Sequence, residues 1–203
     1  MDVRLLLRGL VIGLSIAAPV GPIGVLCIRR TLADGRAFGL LSGLGAATAD
    51  AIYGCIAGFG LTLVSDFLVD QQVWLRLVGG AFLLCLGVKT FLSKVAEEAA
   101  SVKGAGLAGA YASTLFLTLT NPMTILSFVG IFAGLGLAES STRGAALTVL
   151  GVFLGSALWW LALSWVVGLF RDRVGQGLLR WVNRISGAVI AGFGVFALLS
   201  LVL

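Results

Sequence analysis

Six long apolar segments follow one another along the chain, and most of the charged residues lie in the short stretches between them. Each segment has about the 20 residues that an α-helix needs to cross roughly 30 Å of hydrocarbon. The apolar character is continuous and does not alternate with a period of two, which argues against the strands of a membrane barrel. The pattern predicts six transmembrane helices, at Gly9–Ile28, Phe38–Val64, Trp74–Leu92, Ala110–Leu137, Ala145–Phe170 and Ile185–Leu203.

The composition agrees with this pattern, because 59% of the 203 residues are hydrophobic and only 11% are charged. Soluble domains carry about a quarter charged residues. We therefore expect an all-α integral membrane protein whose main solvent is the lipid bilayer. The first segment also resembles a signal peptide, since Arg4 and Arg8 precede an apolar run that reaches Ala17 and Ala18. That run continues to Ile28 and five more segments follow, so we predict a retained span.

Lysine and arginine are divided unevenly between the two sides of the predicted bundle. The side with both termini and the even-numbered loops carries four of them, namely Arg4, Arg8, Arg76 and Arg143. The opposite side carries ten, namely Arg29, Arg30, Arg36, Lys89, Lys94, Lys103, Arg171, Arg173, Arg180 and Arg184. Because cytoplasmic loops are enriched in basic residues, this distribution predicts cytoplasmic odd-numbered loops and both termini outside.

Several function classes lack their usual residues. The chain has no histidine, and its three cysteines, Cys27, Cys55 and Cys85, stand alone in apolar runs, so neither a metal site nor a cofactor is indicated. A phosphate-binding loop of the G-x-x-x-x-G-K-[ST] type is missing, and no nucleophile–base pair is visible, so we do not expect an enzyme. The basic residues are scattered rather than gathered with aromatic residues, so no nucleic-acid partner is expected.

The two halves of the chain resemble one another. Placing Trp74 against Trp181 aligns Gly80 with Gly187, Ala81 with Ala188, Gly87 with Gly194, Val88 with Val195, Leu92 with Leu199 and Ser93 with Ser200. In the same order, the segment from Ala49 to Tyr53 corresponds to the segment from Gly155 to Trp159, and Pro22 corresponds to Pro122. A repeat of three helices inverts the second copy relative to the first, an architecture that recurs in secondary transporters. We predict repeats over residues 1–93 and 110–203, joined by a cytoplasmic linker at 94–109.

Glycines four residues apart mark the faces on which the predicted helices pack. In lipid, close approach of two backbones replaces the hydrophobic effect as a source of helix association, and small residues allow it. The pairs with this spacing are Gly9 and Gly13, Gly54 and Gly58, Gly130 and Gly134, and Gly151 and Gly155. We predict helix packing, rather than ligand contact, at these positions.

Proline interrupts the first and fourth predicted spans. Pro19, Gly21 and Pro22 lie inside the first span, and Asn121 and Pro122 lie inside the fourth. Each proline removes a backbone donor and disfavours helix in the preceding residue. A simple kink is the alternative, but a pair of broken helices at corresponding places in two halves is a pointer to a transporter binding site.

Asp50 is the one acidic residue deep inside a predicted span. A lone carboxylate at this depth is costly and indicates a function. It could bind a substrate ammonium group or carry a coupling proton, and the alternative is a neutral, hydrogen-bonded buried carboxyl. Tyr53 follows one turn later on the same helix face, and Ser156 occupies the matching region of the fifth span. Asn121 offers a donor and an acceptor, which suits a zwitterion.

With these features, the sequence resembles the lysine exporter (LysE) superfamily, and within it the RhtB-like amino-acid exporters, over nearly the whole chain. The resemblance is carried by Val20-Gly21-Pro22 behind Pro19, by Asn121-Pro122, and by Asp50 with Tyr53. It implies export of an amino acid or close derivative, driven by the proton gradient, across the bacterial inner membrane, and it suggests a homodimer. The chain departs from many relatives at Val20, Ile23 and Met123, which leaves the substrate open.

Three other functions remain as alternatives. A metal or inorganic ion exporter of the same superfamily is the first, although the lack of histidine argues against it. A thiol–electron conduit would need a cysteine pair across the two halves, whereas all three cysteines lie in the first half. A membrane scaffold without transport would leave Asp50 and the paired broken helices unexplained.

Overall fold

The computed structural model describes residues 2–19, 21–59, 70–92, 95–121, 124–125, 127–128, 142–173 and 175–201. These residues form helices, turns and a single turn of 3₁₀-helix, and no strand occurs among them. The α-helices are α1 (Asp2–Ala17), α2 (Pro22–Ala33), α3 (Arg36–Gly58), α4 (Gln72–Leu92), α5 (Val95–Leu119), α6 (Thr142–Gly168) and α7 (Gln176–Leu199), and the 3₁₀ turn is Arg171–Arg173. The prediction of an all-helical protein is confirmed.

Four of these helices, α3, α4, α6 and α7, are long and apolar enough to cross a membrane individually. The pair α1 and α2, which meet at an angle of 82°, is long enough together for a fifth crossing. Helix α5 contains a glycine with positive φ, Gly106, and the stretch Gly106–Leu119 beyond it is a shorter apolar helix. Much of the predicted fourth span, 110–137, lies outside the described residues, so the count of six stays a prediction.

Large apolar side chains cover the outside of the helices. Phe196 on α7 is 67% exposed, and Trp74 on α4 and Trp165 on α6 are similarly uncovered. In a soluble protein such extensive apolar exposure would drive aggregation, whereas in a bilayer it is satisfied by lipid tails. The distribution of apolar surface therefore agrees with a membrane environment.

Helices α1 and α6 are in direct backbone contact along a row of glycines. A Cβ atom at Gly9 would meet the carbonyl oxygen of Thr148, and one at Gly155 would meet the carbonyl oxygen of Leu10. Gly13 and Gly151 make equivalent contacts with the facing backbone. The packing role predicted for these two glycine pairs is confirmed. Gly54 differs, because a Cβ there would make only ordinary contacts, and Gly130 and Gly134 lie outside the described residues.

A second glycine contact joins α4 to α7. A Cβ at Gly194 would press on the carbonyl of Gly80, and one at Gly187 would press on the carbonyl of Gly87. The pairing of an early residue of one helix with a late residue of the other makes α4 and α7 antiparallel. These two helices form one long packed pair at the side of the bundle.

Helix α3 lies between α5 and α6, and α2 contacts α3, α5, α6 and α7. The core around α2 is built from small and medium apolar side chains, among them Leu26, Cys27, Ala46 and Leu117. Arg29 and Arg30 continue α2 beyond the predicted end of the first span at Ile28, and Arg29 is buried. Helix α2 therefore runs through the middle of the bundle, and its beginning positions the site described next.

Candidate functional site

The first predicted span is broken, as its prolines indicated. Helix α1 ends at Ala17, and α2 starts again at Pro22 after Gly21, whose extended backbone (φ −110°, ψ −166°) caps the new helix. Proline suits the first position of a helix, because its missing N–H would have no partner there and its φ is already helical. The amides of Ile23 and Gly24, in the first turn of α2, have no helical carbonyl before them to bind.

A second break follows α5. The helix ends at Leu119, Thr120 forms a turn, and the carbonyl oxygen of Asn121 accepts hydrogen bonds from the amides of Thr124 and Ile125, at 3.1 and 3.2 Å. Residues 124–125 and 127–128 are helical again. Pro122 lies outside the described residues. The fourth predicted span therefore has a non-helical turn at the place where Asn121 was expected to interrupt it.

A cavity of about 80 Å³ lies between these two breaks. By the usual measure of roughly 10–15 Å³ per water molecule, it has room for several waters or a small solute. Its lining comes from α1, α2, α3, α5, α6 and the two breaks, and consists of Ile16, Ala17, Pro19, Gly21, Ile23, Gly24, Ala46, Asp50, Thr118, Thr124 and Trp160. Among these lining residues, Asp50 is the one with an ionisable side chain.

Asp50 stands in a short chain of hydrogen bonds between α3 and α6. Ser156 Oγ donates to Asp50 Oδ2 at 2.7 Å, and Trp160 Nε1 donates to Ser156 Oγ at 3.2 Å. Asp50 is only 3% exposed. A buried carboxyl needs such donors, because an unsatisfied one is costly. The two bonds fix the orientation of the carboxyl and hold the indole of Trp160 against the same cavity.

Tyr53 supports the second break instead of lining the cavity. Its hydroxyl donates to the carbonyl oxygen of Leu119, the last residue of α5. Its ring packs against Phe128, beyond the break, with ring centroids 5.7 Å apart. One side chain of α3 thus contacts both arms of the broken fourth span.

The structure brings most of the predicted site residues together. Pro19, Gly21 and Asp50 line the cavity, and Ser156 binds Asp50. Pro22 starts the helix whose first turn reaches the cavity, while Asn121 lies between the lining residues Thr118 and Thr124. Tyr53 contacts residues on both sides of the second break, as described above.

Sequence analysis did not assign Thr118, Thr124, Ala46 or Trp160 to the site. The threonines could have been found from their spacing of three residues on either side of Asn121. Ala46 precedes Asp50 by four residues, so it shares the same helix face. Among the described residues, no group of three or more histidine, cysteine, aspartate or glutamate side chains is placed to hold a metal ion.

Comparison with known proteins gives a consistent set of relatives. A family model described as "LysE type translocator" matches residues 14–201. A Bacillus subtilis (strain 168) protein named "Putative amino acid efflux protein YcgF" is 31% identical over 201 residues, which is 95% of this chain and 94% of the relative. The "Uncharacterized membrane protein YahN" of Escherichia coli (strain K12) is 32% identical, over 84% of this chain and 77% of the relative.

A more distant relative carries a more specific name. The "Threonine efflux protein" of Escherichia coli (strain K12) is 25% identical over 191 residues, covering 89% of this chain and 90% of the relative. No solved structure gives a significant match.

Proposed function

The chain belongs to the LysE type translocators, and on that premise we propose that it exports a small amino acid or close derivative across the bacterial inner membrane, with the proton gradient as the driving force. The observation that carries this proposal is the cavity, which has a buried carboxyl on one wall and the start of a helix on another. Relatives named for efflux of amino acids and of threonine support the substrate class.

The two walls suit the two charges of a zwitterion. The first-turn amides of Ile23 and Gly24 are donors, and the helix dipole adds partial positive charge there, so this wall favours a carboxylate. The carboxyl of Asp50 favours an ammonium group in its ionised form. Both residue sets line the same cavity. An α-amino acid presents the two complementary groups on one carbon atom, which fits a cavity of this small size.

The remaining walls suit a short side chain. Thr118 and Thr124 supply hydroxyl groups, and Ile16, Ala46 and Trp160 supply apolar surface. This mixture could accommodate a small polar or apolar side chain of the substrate. A charged side chain would have no oppositely charged partner left among the described lining residues. We therefore favour a neutral amino acid over lysine or arginine as the substrate.

Asp50 also offers a place for the coupling proton. It is the one ionisable group in the cavity lining, and it is shared between α3 and α6 through Ser156. A carboxyl that alternately binds an ammonium group and a proton would exchange one for the other on opposite faces of the membrane. This exchange would move substrate outward as protons move inward.

Two inverted three-helix repeats would explain several contacts at once. The alignment of the halves equates Asp50 with Ser156, and these two side chains bind each other. It also equates Gly80 with Gly187 and Gly87 with Gly194, and the observed contacts are Gly80 with Gly194 and Gly87 with Gly187. A two-fold axis requires this reciprocity, because each contact must return with its partners exchanged.

A third pair of contacts follows the same rule. Gly151 of α6 lies against the carbonyl of Leu6 and the amide of Leu10, while Gly45 of α3 lies against the carbonyl of Tyr111 and the amide of Leu115. The contact between α6 and α1 is thus repeated between α3 and α5. This support from three separate interfaces favours the inverted-repeat architecture.

The proposal is tested with purified protein in liposomes that are preloaded with a mixture of labelled amino acids. Efflux is followed with and without an imposed proton gradient, for the wild type and for Asp50→Asn. Gradient-dependent loss of particular neutral amino acids that disappears in Asp50→Asn is the expected result. If folded wild-type protein releases no amino acid, the substrate assignment is wrong, and inorganic ions should be assayed next in the same liposomes.

A further inference from the structure

Arg30 joins three helices through its guanidinium group. Its Nη1 donates to Ser42 Oγ on α3 at 2.8 Å, and to the carbonyl oxygen of Ala110 and Thr114 Oγ1 on α5 at 3.0 and 2.9 Å. Its Nη2 donates to Ser113 Oγ on α5 at 2.9 Å. Arginine can bind several acceptors at once because its donors form a rigid planar fork. The side chain therefore ties the later part of α2 to both α3 and α5.

These contacts lie one helical turn from the cavity. Ser42 precedes the lining residue Ala46 by four residues on α3, and Thr114 precedes the lining residue Thr118 by four residues on α5. Along α2, the cavity ends at Gly24, and Arg30 lies about 9 Å further at 1.5 Å per residue. Arg30 thus fills the space between α2, α3 and α5 on the side of the cavity that faces the α2–α3 turn.

The repeat-related place on the opposite side is closed differently. In the alignment of the two halves, Ser42 corresponds to Thr148 by the same offset that makes Asp50 correspond to Ser156. Gly9 corresponds to Thr114 by the offset between α1 and α5 described above. There Gly9 of α1 lies directly on the backbone of Thr148. The hydroxyl of Thr148 has no hydrogen-bond partner among the described residues. The contact between α1 and α6 is therefore closed by backbone atoms. The corresponding contact between α3 and α5 is closed by Arg30, whose hydrogen bonds can be broken and remade.

We propose that Arg30 is a positioning residue that closes the cavity toward the α2–α3 turn, and that it must release Ser42, Ser113 and Thr114 whenever the cavity opens to that face. The proposal rests on the proposed role of the cavity as the transport site. Release of Arg30 lets α2 move away from α3 and α5. The closed state is favoured because the guanidinium keeps all its acceptors there, and the open state needs water to replace them.

Cys27 provides a reporter within the chain itself. It lies on α2 between the cavity and Arg30, it is fully buried, and it belongs to the core that includes Ala46 of α3 and Leu117 of α5. Separation of α2 from those helices would uncover its thiol. Replacing Cys55 and Cys85 by alanine leaves Cys27 as the single cysteine for a membrane-impermeant maleimide.

The experiment compares labelling rates of Cys27 in liposomes for the protein with Arg30, for Arg30→Ala and for Arg30→Lys. Loss of even one charge-assisted hydrogen bond shifts an equilibrium by roughly tenfold, so Arg30→Ala should be labelled at least about tenfold faster. Lysine keeps the charge but not the fork, and should give an intermediate rate. Arg184→Ala, which removes an exposed arginine from α7, should label like the parent.

Labelling of folded Arg30→Ala at the parental rate would overturn the proposal. If Arg30→Ala does not fold, Ser113→Ala decides the question, because it removes one acceptor and leaves the arginine in place. It should raise the labelling rate, and an unchanged rate again counts against the proposal. The labelling needs no substrate, so it stays informative even if the amino-acid assignment fails. Where export is measurable, Arg30→Ala should lower the maximal rate more than it changes the KM.

Discussion

Ser156 donates a hydrogen bond to Asp50 across 106 residues of sequence, and the alignment of the two halves gives these two residues the same position. In an inverted repeat, a residue can bind its own counterpart only at the axis that relates the halves. Under the proposed inverted-repeat architecture, the carboxyl of Asp50 lies where α3 and α6 cross that axis. In that architecture the carboxyl stands at the interface between the repeats, where the binding sites of secondary transporters recur.

Replacing Ser156 by alanine should weaken both transport and the fold. The change removes the donor to Asp50 and the acceptor of Trp160 Nε1, so two buried polar groups lose a partner. We expect a loss of about 1–3 kcal/mol in stability and slower export, measured by thermal unfolding and liposome efflux. Ser164→Ala is the matched control, because that buried hydroxyl of α6 has no hydrogen-bond partner among the described residues. Equal effects of the two substitutions would contradict the assigned role of Ser156.

Tyr53→Phe should impair transport more than its effect on stability suggests. The variant keeps the ring packed against Phe128 but loses the hydroxyl that binds the carbonyl of Leu119 at the broken span. A neutral hydrogen bond contributes about 1 kcal/mol. Tyr111→Phe is the control, since its hydroxyl donates to Thr48 Oγ1 at 3.0 Å, away from the break. At equal amounts of folded protein, Tyr53→Phe should export more slowly than Tyr111→Phe.

The glycine contact between α1 and α6 should tolerate no side chain. A methyl group at Gly155 would strike the backbone of Leu10, so Gly155→Ala must push the two helices apart. Overpacking of this kind typically costs about 1–3 kcal/mol, and backbone cannot rotate away as a side chain can. Gly54→Ala adds the same methyl group where the nearest atoms are 3.7 Å away. The first variant should lose melting temperature and folded yield in detergent, and the second should keep both.

Trp160 should limit the size of the substrate side chain. It is the largest residue that lines the cavity, its Nε1 is held by Ser156, and its side chain packs closely on Gly43. Trp160→Leu shortens this wall and should extend export from small neutral amino acids to larger ones. Competition with a series from glycine to phenylalanine measures the cutoff. Trp165→Leu, on the exposed face of the same helix, should leave the cutoff where it is.

Asp34 should make stability depend on pH. Partial burial raises the pKa of this carboxyl above its ordinary value of 3.8, and Arg29, Arg30 and Arg171 oppose the rise. An acid with a raised pKa in the folded state costs stability once it is ionised, and the cost disappears as the pH falls below the unfolded value. Asp34→Asn should therefore have a higher melting temperature at pH 7, and the gain should shrink toward pH 4. A gain in melting temperature that is equal at pH 4 and pH 7 would contradict this cause.

Much of this arrangement could be predicted from the sequence because length and apolarity act locally. The run lengths predicted helices, the prolines predicted the break before Pro22, and the isolated acid singled out Asp50. The alignment of the halves put Ser156 beside the site, although alignment alone does not say that Asp50 and Ser156 touch. Their contact follows from how α3 crosses α6, which is a tertiary property.

Arg30 shows why the rest could not be predicted. In sequence, Arg29 and Arg30 follow the first apolar run, which predicts that they belong to the loop charges that set orientation. In the structure they lie within α2, and the side-chain acceptors of Arg30 are one serine on the next helix and a serine and a threonine on α5, more than 80 residues away in the chain. Hydroxyl groups in apolar helices are common and carry no local signal. The place of Trp160 in the cavity wall could not be predicted for a similar reason, since an aromatic residue in a span has many possible surroundings.

The glycine contacts also bear on the origin of the protein. Because they join α1 to α6 and α3 to α5, each half of the chain supplies one member to each pair, and the halves are interlaced rather than side by side. Neither half could bury its glycine faces without the other. Under the proposed inverted-repeat architecture, a gene divided between Leu92 and Val95 would encode two short subunits that must pair in order to fold and that insert in opposite directions. An ancestor built from a single repeat would have needed to insert in both orientations and pair with itself.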